Sequence, residues 1–356
     1  MSGAAAAASA GTMPVRDGSS FDEARLELWL KDNVAGYCSP LTVEQFRGGQ
    51  SNPTFKLVTP GRSYVMRRKP PGATVRGAHA VDREARVMAA LGQAGYPVAQ
   101  IYGLCTDETV LGSWFYVMEH VEGRIEWDST LPDSTPDLRA AHYYAMNGAI
   151  AALHRIDPVA IGLGDFGKAG NYFERQIGRW SRQYLADEDA GRDDAMDRLI
   201  EKLSSRILPG EAPRIVHGDF RCDNLIFAAD VPEVRAVLDW ELSTLGHPLA
   251  DFAYNAMVYR LPADIISGLA DADLAELGIP GERDYLEAYC EKVGRNPLPE
   301  DQWAFCIAFN LFRLAAIYHG IRARMIRGNA ASLHAQRRGD NFPILTRMAL
   351  QVLDHG

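Results

Sequence analysis

One short polar segment, enclosed by apolar residues on both sides, constrains this chain more than any other feature. It reads IVHGDFRCDNLIF from Ile215 onward, and a second acidic group, LDWE, follows at 238–241. Apolar and β-branched runs separated by turn residues predict two strands, Asn224–Ala228 and Val234–Asp239. The sequence therefore predicts a hairpin, with two acids and one amide on the loops around it.

Phosphoryl transfer needs the residue types that this pattern brings together. Asp219 is the candidate catalytic base, which would accept a hydrogen bond from a substrate hydroxyl. Asn224 and Asp239 are the candidate metal ligands, because Mg²⁺ prefers a few oxygen ligands besides phosphates and water. An Asp in a polar turn is often only a turn residue, but the HGDxxxxN order with an acid after the hairpin favours catalysis.

The rest of the chain divides into a mixed α+β part and a mostly helical part. Three short strand-like runs, a helical pattern from about 78 to 93 and a further hairpin form the first part. Helical spacing dominates from Pro136 to Asp354, and the catalytic hairpin interrupts it. We therefore expect an α+β unit over 21–121 and a mostly helical unit over 122–356. The family resemblance given below implies that the first binds the nucleotide and that the second carries the catalytic loop and the substrate site. A disordered tail is expected over 1–20.

Composition and charge argue against several classes of protein. The formal net charge of −9 argues against a general nucleic-acid binder. No apolar run reaches the roughly 20 residues of a membrane helix, and residues 1–20 lack the pattern of a secretory signal. The five cysteines are scattered without a CxxC pair, so neither a disulfide framework nor a zinc site is expected. A cytoplasmic protein that binds neither membrane nor nucleic acid is the expectation.

The chain resembles the aminoglycoside phosphotransferase and choline kinase-like family over roughly Leu41 to Gly328. Besides the two motifs above, the resemblance rests on GGQSNPT from Gly48, YVMRRKP from Tyr64, Arg83–Glu84, and FNLFRL from Phe309. Within the family, the chain is similar to the kinase domain of acyl-CoA dehydrogenase fusion proteins. The resemblance implies an α+β, bilobal protein-kinase-like fold, with a small antiparallel sheet and helix in the N-lobe and a large helical C-lobe.

The resemblance also implies ATP and Mg²⁺ as cofactors and indicates where the nucleotide would bind. Gly49, Ser51 and Asn52 would lie over the ATP phosphates, where glycine allows close backbone approach. Glu119 and Val121 belong to a segment resembling the hinge, whose backbone would bind adenine. The glycine-containing segment is also typical of an ordinary hairpin turn, and the hinge-like segment is also typical of an ordinary core strand.

Charged residues complete the site that the resemblance implies. Arg67 stands where the kinase fold has its phosphate-binding lysine, and Lys69 competes for the role because both share one strand face. Glu84, on the following helix, is the expected ion-pair partner of that cation. Arg221 would stabilise transition-state charge, or would face substrate or solvent. Glu241 would support the metal site or be a solvated acid.

Other residues have structural or open interpretations. Asp251 matches a family acid that braces the catalytic loop, and His247 is interpreted as structural. Arg313, Arg324 and Arg327 fall near one face of a long helix. A solvated charged face is the usual explanation for such a set, and recognition of an anionic substrate such as a carboxylate or a CoA phosphate is the sharper hypothesis.

The expected activity is ATP- and Mg²⁺-dependent phosphorylation of a hydroxyl on a small molecule. The branch implies a hydroxyacyl-CoA or hydroxy acid substrate and a functional link to an acyl-CoA dehydrogenase. Two alternatives stay open: an aminoglycoside or amino-sugar O-phosphotransferase, and an inactive nucleotide-binding module that regulates a partner. Basic residues near Asp219 would favour acyl substrates, and acidic ones would favour aminoglycosides. The acids that could serve an aminoglycoside are Asp271, Asp273, Glu276, Glu282, Asp284 and Glu287.

Overall fold

The computed structural model of the chain describes residues 11–47, 52–70, 80–328 and 333–355, without the side chains of 333–335. The chain divides into two compact units. Unit 1 takes Met1–Ser134, Val159–Gly164 and Arg221–Ser243, and unit 2 takes Thr135–Pro158, Asp165–Phe220 and Thr244–Gly356.

Unit 1 is built on a six-stranded antiparallel sheet. Its strands are β1 (Thr12–Met13), β2 (Thr42–Phe46), β3 (Thr54–Thr59), β4 (Arg62–Arg68), β5 (Ile101–Cys105) and β6 (Phe115–Glu119), in the order β1-β2-β3-β4-β6-β5. Side chains alternate across a strand, so Phe55 and Leu57 on β3 and Tyr64 and Met66 on β4 are buried together at one face. Burial of each such side chain contributes roughly 1.5–3 kcal/mol and fixes the register of β4.

The N-terminal residues differ from the predicted disordered tail. Within the described part, Thr12 and Met13 pair with Phe46 and Gln45 as the edge strand β1. The Gln45 side chain also accepts a hydrogen bond from the backbone N–H of Arg16, at 2.9 Å. Backbone pairing with β2 therefore orders a segment whose composition alone indicates disorder.

Helices and a second, smaller sheet complete unit 1. The helices are α1 (Glu23–Asn33), α2 (Val81–Gln93) and α3 (Glu108–Leu111). The small sheet has the order β10-β9-β7, with β7 (Arg124–Ile125), β9 (Leu225–Phe227) and β10 (Val234–Val237). Helix α2 buries Val81, Ala85, Met88 and Leu91 at helical spacing, and Glu84 lies on the same buried face.

Unit 2 is mostly helical. Its helices are α4 (Pro136–Arg155), α5 (Tyr172–Ala186), α6 (Asp194–Ser205), α7 (Pro248–Ala256), α8 (Leu274–Leu277), α9 (Glu282–Val293), α10 (Glu300–Ile326) and α11 (Leu333–His355). A two-stranded sheet pairs β8 (Arg214–Val216) with β11 (Thr244–Gly246). Helix α10 is long and apolar enough to cross a membrane, but 89% of its apolar window is buried within the protein. Its apolarity is therefore that of a core helix.

The predicted elements are present with small shifts at their ends, but the predicted boundary at residue 121 differs from the structure. Residues 221–243, which the sequence analysis assigned to the catalytic unit, belong to unit 1. The reason is strand pairing: β9 bonds to β7, and the N–H of Val237 donates to the carbonyl of Pro97 at 2.9 Å. Such pairings between distant segments leave no periodic signal in the sequence.

Candidate active site

The catalytic hairpin brings the two candidate metal ligands to one end. Leu225 on β9 pairs with Val237 on β10, and one step further the N–H of Leu238 donates to the carbonyl of Asn224 at 2.8 Å. Asn224 therefore precedes one strand at the end where Asp239 follows the other. This placement in unit 1 follows the hairpin that the sequence predicts.

Asp239 has an uncommon backbone conformation. Its φ of 63° and ψ of 67° lie in the left-handed region, which Asp tolerates better than most residues. The next residue, Trp240, is buried and donates its indole N–H to the carbonyl of Val237 at 2.9 Å. The buried indole fixes the turn after β10, so the strained conformation is held by packing. Strain of this kind is concentrated at functional sites.

Arg67 is the centre of a charged cluster in unit 1. Its Nε lies 3.2 Å from Oε2 of Glu84, and its Nη2 donates to Oδ1 of Asp239 at 2.9 Å. The same Nη2 lies 3.4 Å from Oε2 of Glu241. The predicted pair of strand cation and helix acid is therefore present, and Arg67, not Lys69, makes it. One guanidinium faces three carboxylates, which leaves the cluster with an excess of negative charge.

Glu84 is deeply buried, with 1% of its side chain exposed, while 12% of the Arg67 side chain is exposed. Burial raises the pKa of Glu84 to about 7, although Arg67 and the hydroxyl of Tyr116 act in the opposite direction. Tyr116 donates to Oε2 of Glu84 at 3.0 Å, and the amide of Asn52 donates to Oε1 at 3.1 Å. The carboxylate is thus held by a cation and two neutral donors.

The predicted phosphate-binding loop needs one correction. Asn52 was expected to lie over the ATP phosphates, but it is fully buried and its amide supports Glu84. The side chain is taken up by the ion pair because its amide lies within hydrogen-bond distance of the Glu84 carboxylate. Gly49 and Ser51 lie outside the described residues.

The hinge residues Glu119 and Val121 lie beside a cavity of about 470 Å³ in unit 1, together with Arg62 and Tyr102. Backbone hydrogen bonding holds this segment, because the N–H of Glu119 donates to the carbonyl of Gln100 at 2.8 Å. The residues that line this cavity do not include Arg67, Glu84 or the metal-ligand candidates. The cavity is therefore a feature of the hinge and not of the charged cluster.

The candidate base Asp219 lies in unit 2, on the loop that follows β8. The backbone N–H groups of His217 and Gly218 both donate to the carboxylate of Asp251, each at 2.7 Å. Gly218 has a φ of 85°, a conformation that side chains other than glycine rarely adopt. Nε2 of His154 lies 3.2 Å from the Asp251 carboxylate. The structure thus places Asp251 in the bracing position that the resemblance implies.

The charge of Asp251 is favoured despite complete burial. Burial alone would raise the pKa of Asp251, but the hydrogen bond and charge of His154, together with His217 and the Gly218 N–H, hold it below its usual range. A buried carboxylate that accepts several N–H groups remains ionised and keeps its geometry. Asp251 therefore fixes the backbone immediately before the candidate base.

Two further residues of α7 hold the same loop. The hydroxyl of Tyr254 donates to Oδ1 of Asp219 at 2.6 Å. The amide of Asn255 donates to the carbonyl of Phe220 at 3.3 Å, and Tyr285 in turn donates to Asn255 at 2.7 Å. Sequence reasoning missed both residues. The signal was available in their spacing, since positions three and four after Asp251 share its helix face.

Arg313 corrects one sequence expectation. It was grouped with Arg324 and Arg327 as a solvated or anion-binding face, but Arg313 is buried, with 7% of the residue exposed. Its guanidinium donates to the carbonyl of Gly218 at 2.7 Å and lies 4.9 Å from the centre of the Tyr254 ring. Arg327 instead pairs with Asp187 and Asp189 at the surface. The three arginines therefore do not form one recognition face.

Arg221 and Cys222 belong to unit 1 and follow the base in sequence. Arg221 donates to Asp223 at 2.5 Å, so the structure directs this guanidinium to a neighbouring acid. Burial raises the pKa of the Cys222 thiol to about 12, and the charge of Asp223 adds to the effect. A thiol with so high a pKa is a poor nucleophile, which argues against a catalytic role for Cys222.

The oxygen donors at the hairpin end suit a hard cation. Within the described part of the chain, no three His, Cys, Asp or Glu side chains are grouped so that they could hold a metal ion. One amide and one carboxylate nevertheless fit Mg²⁺, which takes most of its ligands from phosphate and water. The excess of carboxylates around Arg67 also favours a divalent cation nearby.

An antiparallel sheet unit with a buried Arg–Glu pair and the hairpin residues Asn224 and Asp239, together with a helical unit that carries Asp219, defines a kinase-like protein. The model of the phosphotransferase enzyme family matches residues 42–289. The chain belongs to this family. The predicted α+β class and the family resemblance are therefore confirmed.

Individual relatives are similar over nearly the whole chain. A Ralstonia eutropha protein of known structure is 47% identical, with a TM-score of 0.86 over 94% of this chain and 99% of that one. That protein is described as an aminoglycoside phosphotransferase. Mouse acyl-CoA dehydrogenase family member 10 is 43% identical over 331 residues, which is 92% of this chain but 31% of that protein. The chain spans 31% to 44% of the length of the curated relatives first matched. The predicted branch is thereby confirmed.

A more distant structure shares the fold alone. The aminoglycoside phosphotransferase APH(4)-Ia, in a ternary complex with AMP-PNP and hygromycin B, has a TM-score of 0.59 at 15% identity, over 91% of this chain and 98% of that one. At such low identity, the likeness concerns the arrangement of helices and strands and says nothing about the substrate.

Proposed function

We propose that this protein is an ATP- and Mg²⁺-dependent kinase that phosphorylates a hydroxyl group of a small molecule. The observation that carries the proposal is the cluster in which Arg67 contacts Glu84, Asp239 and Glu241. In kinases a cation on a strand pairs with an acid on the following helix, near an acid that binds Mg²⁺, and Arg67, Glu84 and Asp239 have this arrangement. The family assignment and the APH(4)-Ia complex with an ATP analogue support the same reaction.

Each residue has a role in the proposed reaction. Asp219 accepts a hydrogen bond from the acceptor hydroxyl and orients it towards the γ-phosphorus. Arg67 binds phosphate oxygens, and Glu84 holds Arg67 in the required rotamer. Asn224 and Asp239 would hold Mg²⁺, which when bound neutralises phosphate charge. Arg221 stays a candidate for transition-state stabilisation only if it leaves Asp223.

The acceptor class we propose is a hydroxyacyl compound, as the CoA thioester or the free acid. One support is the similarity to mouse acyl-CoA dehydrogenase family member 10, whose name refers to acyl-CoA chemistry. A second support is the charge of α5. Arg175, Arg179 and Arg182 are spaced i, i+4 and i+7, so they share one helix face. Glu174 is the only acid between Tyr172 and Ala186.

The basic face of α5 shares its electrostatic surroundings with Arg313, which contacts the loop before Asp219. Burial raises the pKa of Tyr172 at the start of α5, and Arg313, Arg175 and Arg179 all oppose that rise. The Arg179 guanidinium lies 4.9 Å from the centre of the Trp180 ring. The indole nitrogen of Trp180 is buried and makes no hydrogen bond within the described residues. Exposed arginines beside an aromatic ring suit phosphate and adenine groups of CoA.

The aminoglycoside alternative needs exposed acids, and three of the six that the sequence offers have structural partners. Asp273 caps α8 by accepting from the N–H of Glu276. Glu282 pairs with Arg260 and accepts from Trp303, and Glu287 pairs with Arg283. These contacts favour the anionic acceptor over the aminoglycoside. The hygromycin B complex of APH(4)-Ia keeps the alternative worth testing.

The first experiment measures ADP release with MgATP against two pools of acceptors. One pool contains hydroxyacyl-CoAs and their free acids, and the other contains aminoglycosides and amino sugars. Asp219→Asn, which keeps the shape of the side chain, is the blank. Turnover with the acyl pool that falls at least 100-fold in Asp219→Asn is the expected result. Turnover with amino sugars alone would refute the acceptor class, and ATP binding without turnover would favour the regulatory module.

A second experiment tests the basic face of α5. Arg179→Glu combined with Arg182→Glu is expected to raise the KM for a hydroxyacyl-CoA at least tenfold and to leave kcat nearly unchanged, because both residues are exposed. Arg198→Glu combined with Arg337→Glu, at exposed positions on α6 and α11, is the control with the same change in net charge. An equal rise in KM for the control would assign the effect to net charge and contradict a specific acceptor site on α5.

A further inference from the structure

Tyr254 contacts the candidate base directly. Its hydroxyl donates to Oδ1 of Asp219 at 2.6 Å, and 7% of the residue is exposed. A short hydrogen bond to an acidic oxygen, shielded from water, is stronger than one at the surface. The orientation of the Asp219 carboxylate is therefore coupled to the position of one tyrosine.

Helix α7 holds that tyrosine in register with the loop. Asp251, Tyr254 and Asn255 stand at i, i+3 and i+4, so all three side chains project from one face. Asp251 fixes the backbone N–H groups before the base, and Asn255 fixes the carbonyl of Phe220 after it. With the backbone held on both sides, Tyr254 acts on the side chain itself.

Arg313 fixes the tyrosine from another helix, α10. Its guanidinium lies over the Tyr254 ring, 4.9 Å from the ring centre, and donates to the carbonyl of Gly218 at 2.7 Å. Arg313 thus links the tyrosine to the residue directly before the base. The attraction between a buried cation and an aromatic face favours this one rotamer of the ring.

We propose that Tyr254 and Arg313 are positioning residues for the transfer reaction, holding Oδ1 of Asp219 so that Oδ2 is directed to the acceptor hydroxyl. The inference rests on the proposed function. In the reaction, the acceptor oxygen forms a bond to the γ-phosphorus, the bond from that phosphorus to ADP breaks, and the hydroxyl proton passes to Oδ2. A carboxylate with one oxygen already engaged cannot rotate away from the hydroxyl, so the geometry is set before the substrate binds.

The test compares two tyrosines that are equally buried. Tyr254→Phe removes the hydroxyl that touches Asp219, and kcat is expected to fall 10- to 100-fold while the KM values for ATP and acceptor change less than threefold. Tyr259→Phe is the matched control, because Tyr259 is also 7% exposed and its hydroxyl has no hydrogen-bond partner among the described residues. Its kcat is expected to stay at the wild-type value.

Arg313 supplies the second variant. Arg313→Lys keeps the cation and is expected to retain more activity than Arg313→Met, and the effect of Tyr254→Phe is expected to be smaller in the Arg313→Met background than in the wild type. A Tyr254→Phe variant with the wild-type kcat, or one in which only KM changes, would overturn the positioning role alone. A wild-type enzyme that phosphorylates no acceptor would overturn the proposed function and this inference together.

Discussion

Replacing Arg67 with methionine tests the electrostatics of the charged cluster. Methionine fills much of the same volume but leaves Glu84 with Tyr116 and Asn52 as its donors. Removing one member of a buried pair costs about 3–5 kcal/mol. The lower value is expected here, because Asp239 and Glu241 are 35% and 28% exposed and lose little when the cation is removed.

The expected cost depends on pH, and its direction follows from Glu84. Since burial raises the pKa of Glu84 to about 7 from 4.5, the stability linked to its protonated form is complete below pH 4.5 and is lost as the pH rises through 7. Without Arg67 the pKa rises further, so at pH 8 the variant must bury a proton that the wild type has released. One pH unit above 7 adds about 1.4 kcal/mol. We expect a cost of about 3 kcal/mol at pH 8 and about 1.5 kcal/mol at pH 6.

Thermal unfolding followed by tryptophan fluorescence, in buffers containing EDTA, measures this difference. A cost of 3 kcal/mol corresponds to a fall in Tm of about 4 °C for 356 residues, at about 2.1 cal/mol/K per residue. Arg67→Met combined with Glu84→Gln should remove the pH dependence.

Arg68→Met is the matched control, because Arg68 is buried but donates to Ser113 and to the carbonyl of Leu111. Equal losses at pH 6 and pH 8 in Arg67→Met would refute the assignment of the titrating group to Glu84.

Three further predictions concern buried groups near the catalytic loop and elsewhere. Burial lowers the pKa of His247 to about 4, so the wild type should lose about 2 kcal/mol between pH 8 and pH 5 as the unfolded chain takes up a proton, and His247→Gln should lose less in urea titrations. In the native protein, Ellman's reagent should react rapidly with the exposed Cys38, whereas the buried Cys222 should react only after denaturation. Rapid reaction of two thiols in the native protein would contradict this. Gly218→Ala should cost about 1–2 kcal/mol because of the φ of 85°, and kcat should fall by more than Tm indicates, since the altered backbone carries Asp219.

The sequence predicts the catalytic hairpin because its information is local. Strand propensity, turn residues and the positions of Asn224 and Asp239 all lie within about 15 residues. Glu84 could also be predicted from the sequence. An acid at the spacing of the apolar residues on α2 must be buried and therefore needs a partner. Arg67 and Lys69 were both candidate partners, and the choice between them required the tertiary structure, in which Arg67 pairs with Glu84.

Other features were missed because their signals compete with more common explanations. Tyr254 lies in an apolar helix, where an aromatic residue is normally part of the core. Arg313 was treated as one of three surface arginines, although FNLFRL places it within an apolar run on all sides, which is typical of a buried charge with a specific partner. The assignment of 221–243 to unit 1 depends on strand pairing between distant segments, and local patterns do not contain it.

The two halves of the HGDxxxxN motif are supported by different structures, and this separation has a functional consequence. In unit 1, Asn224 and Asp239 depend on the β9–β10 hairpin and on the charge balance around Arg67. In unit 2, Asp219 depends on α7 and Arg313, through hydrogen bonds to Asp251 and Tyr254. We therefore expect a change on α7 to leave the charged cluster around Arg67 intact and, under the proposed function, to affect only the rate of transfer. Separate values of kcat and KM for such variants would therefore distinguish positioning of the base from binding of ATP.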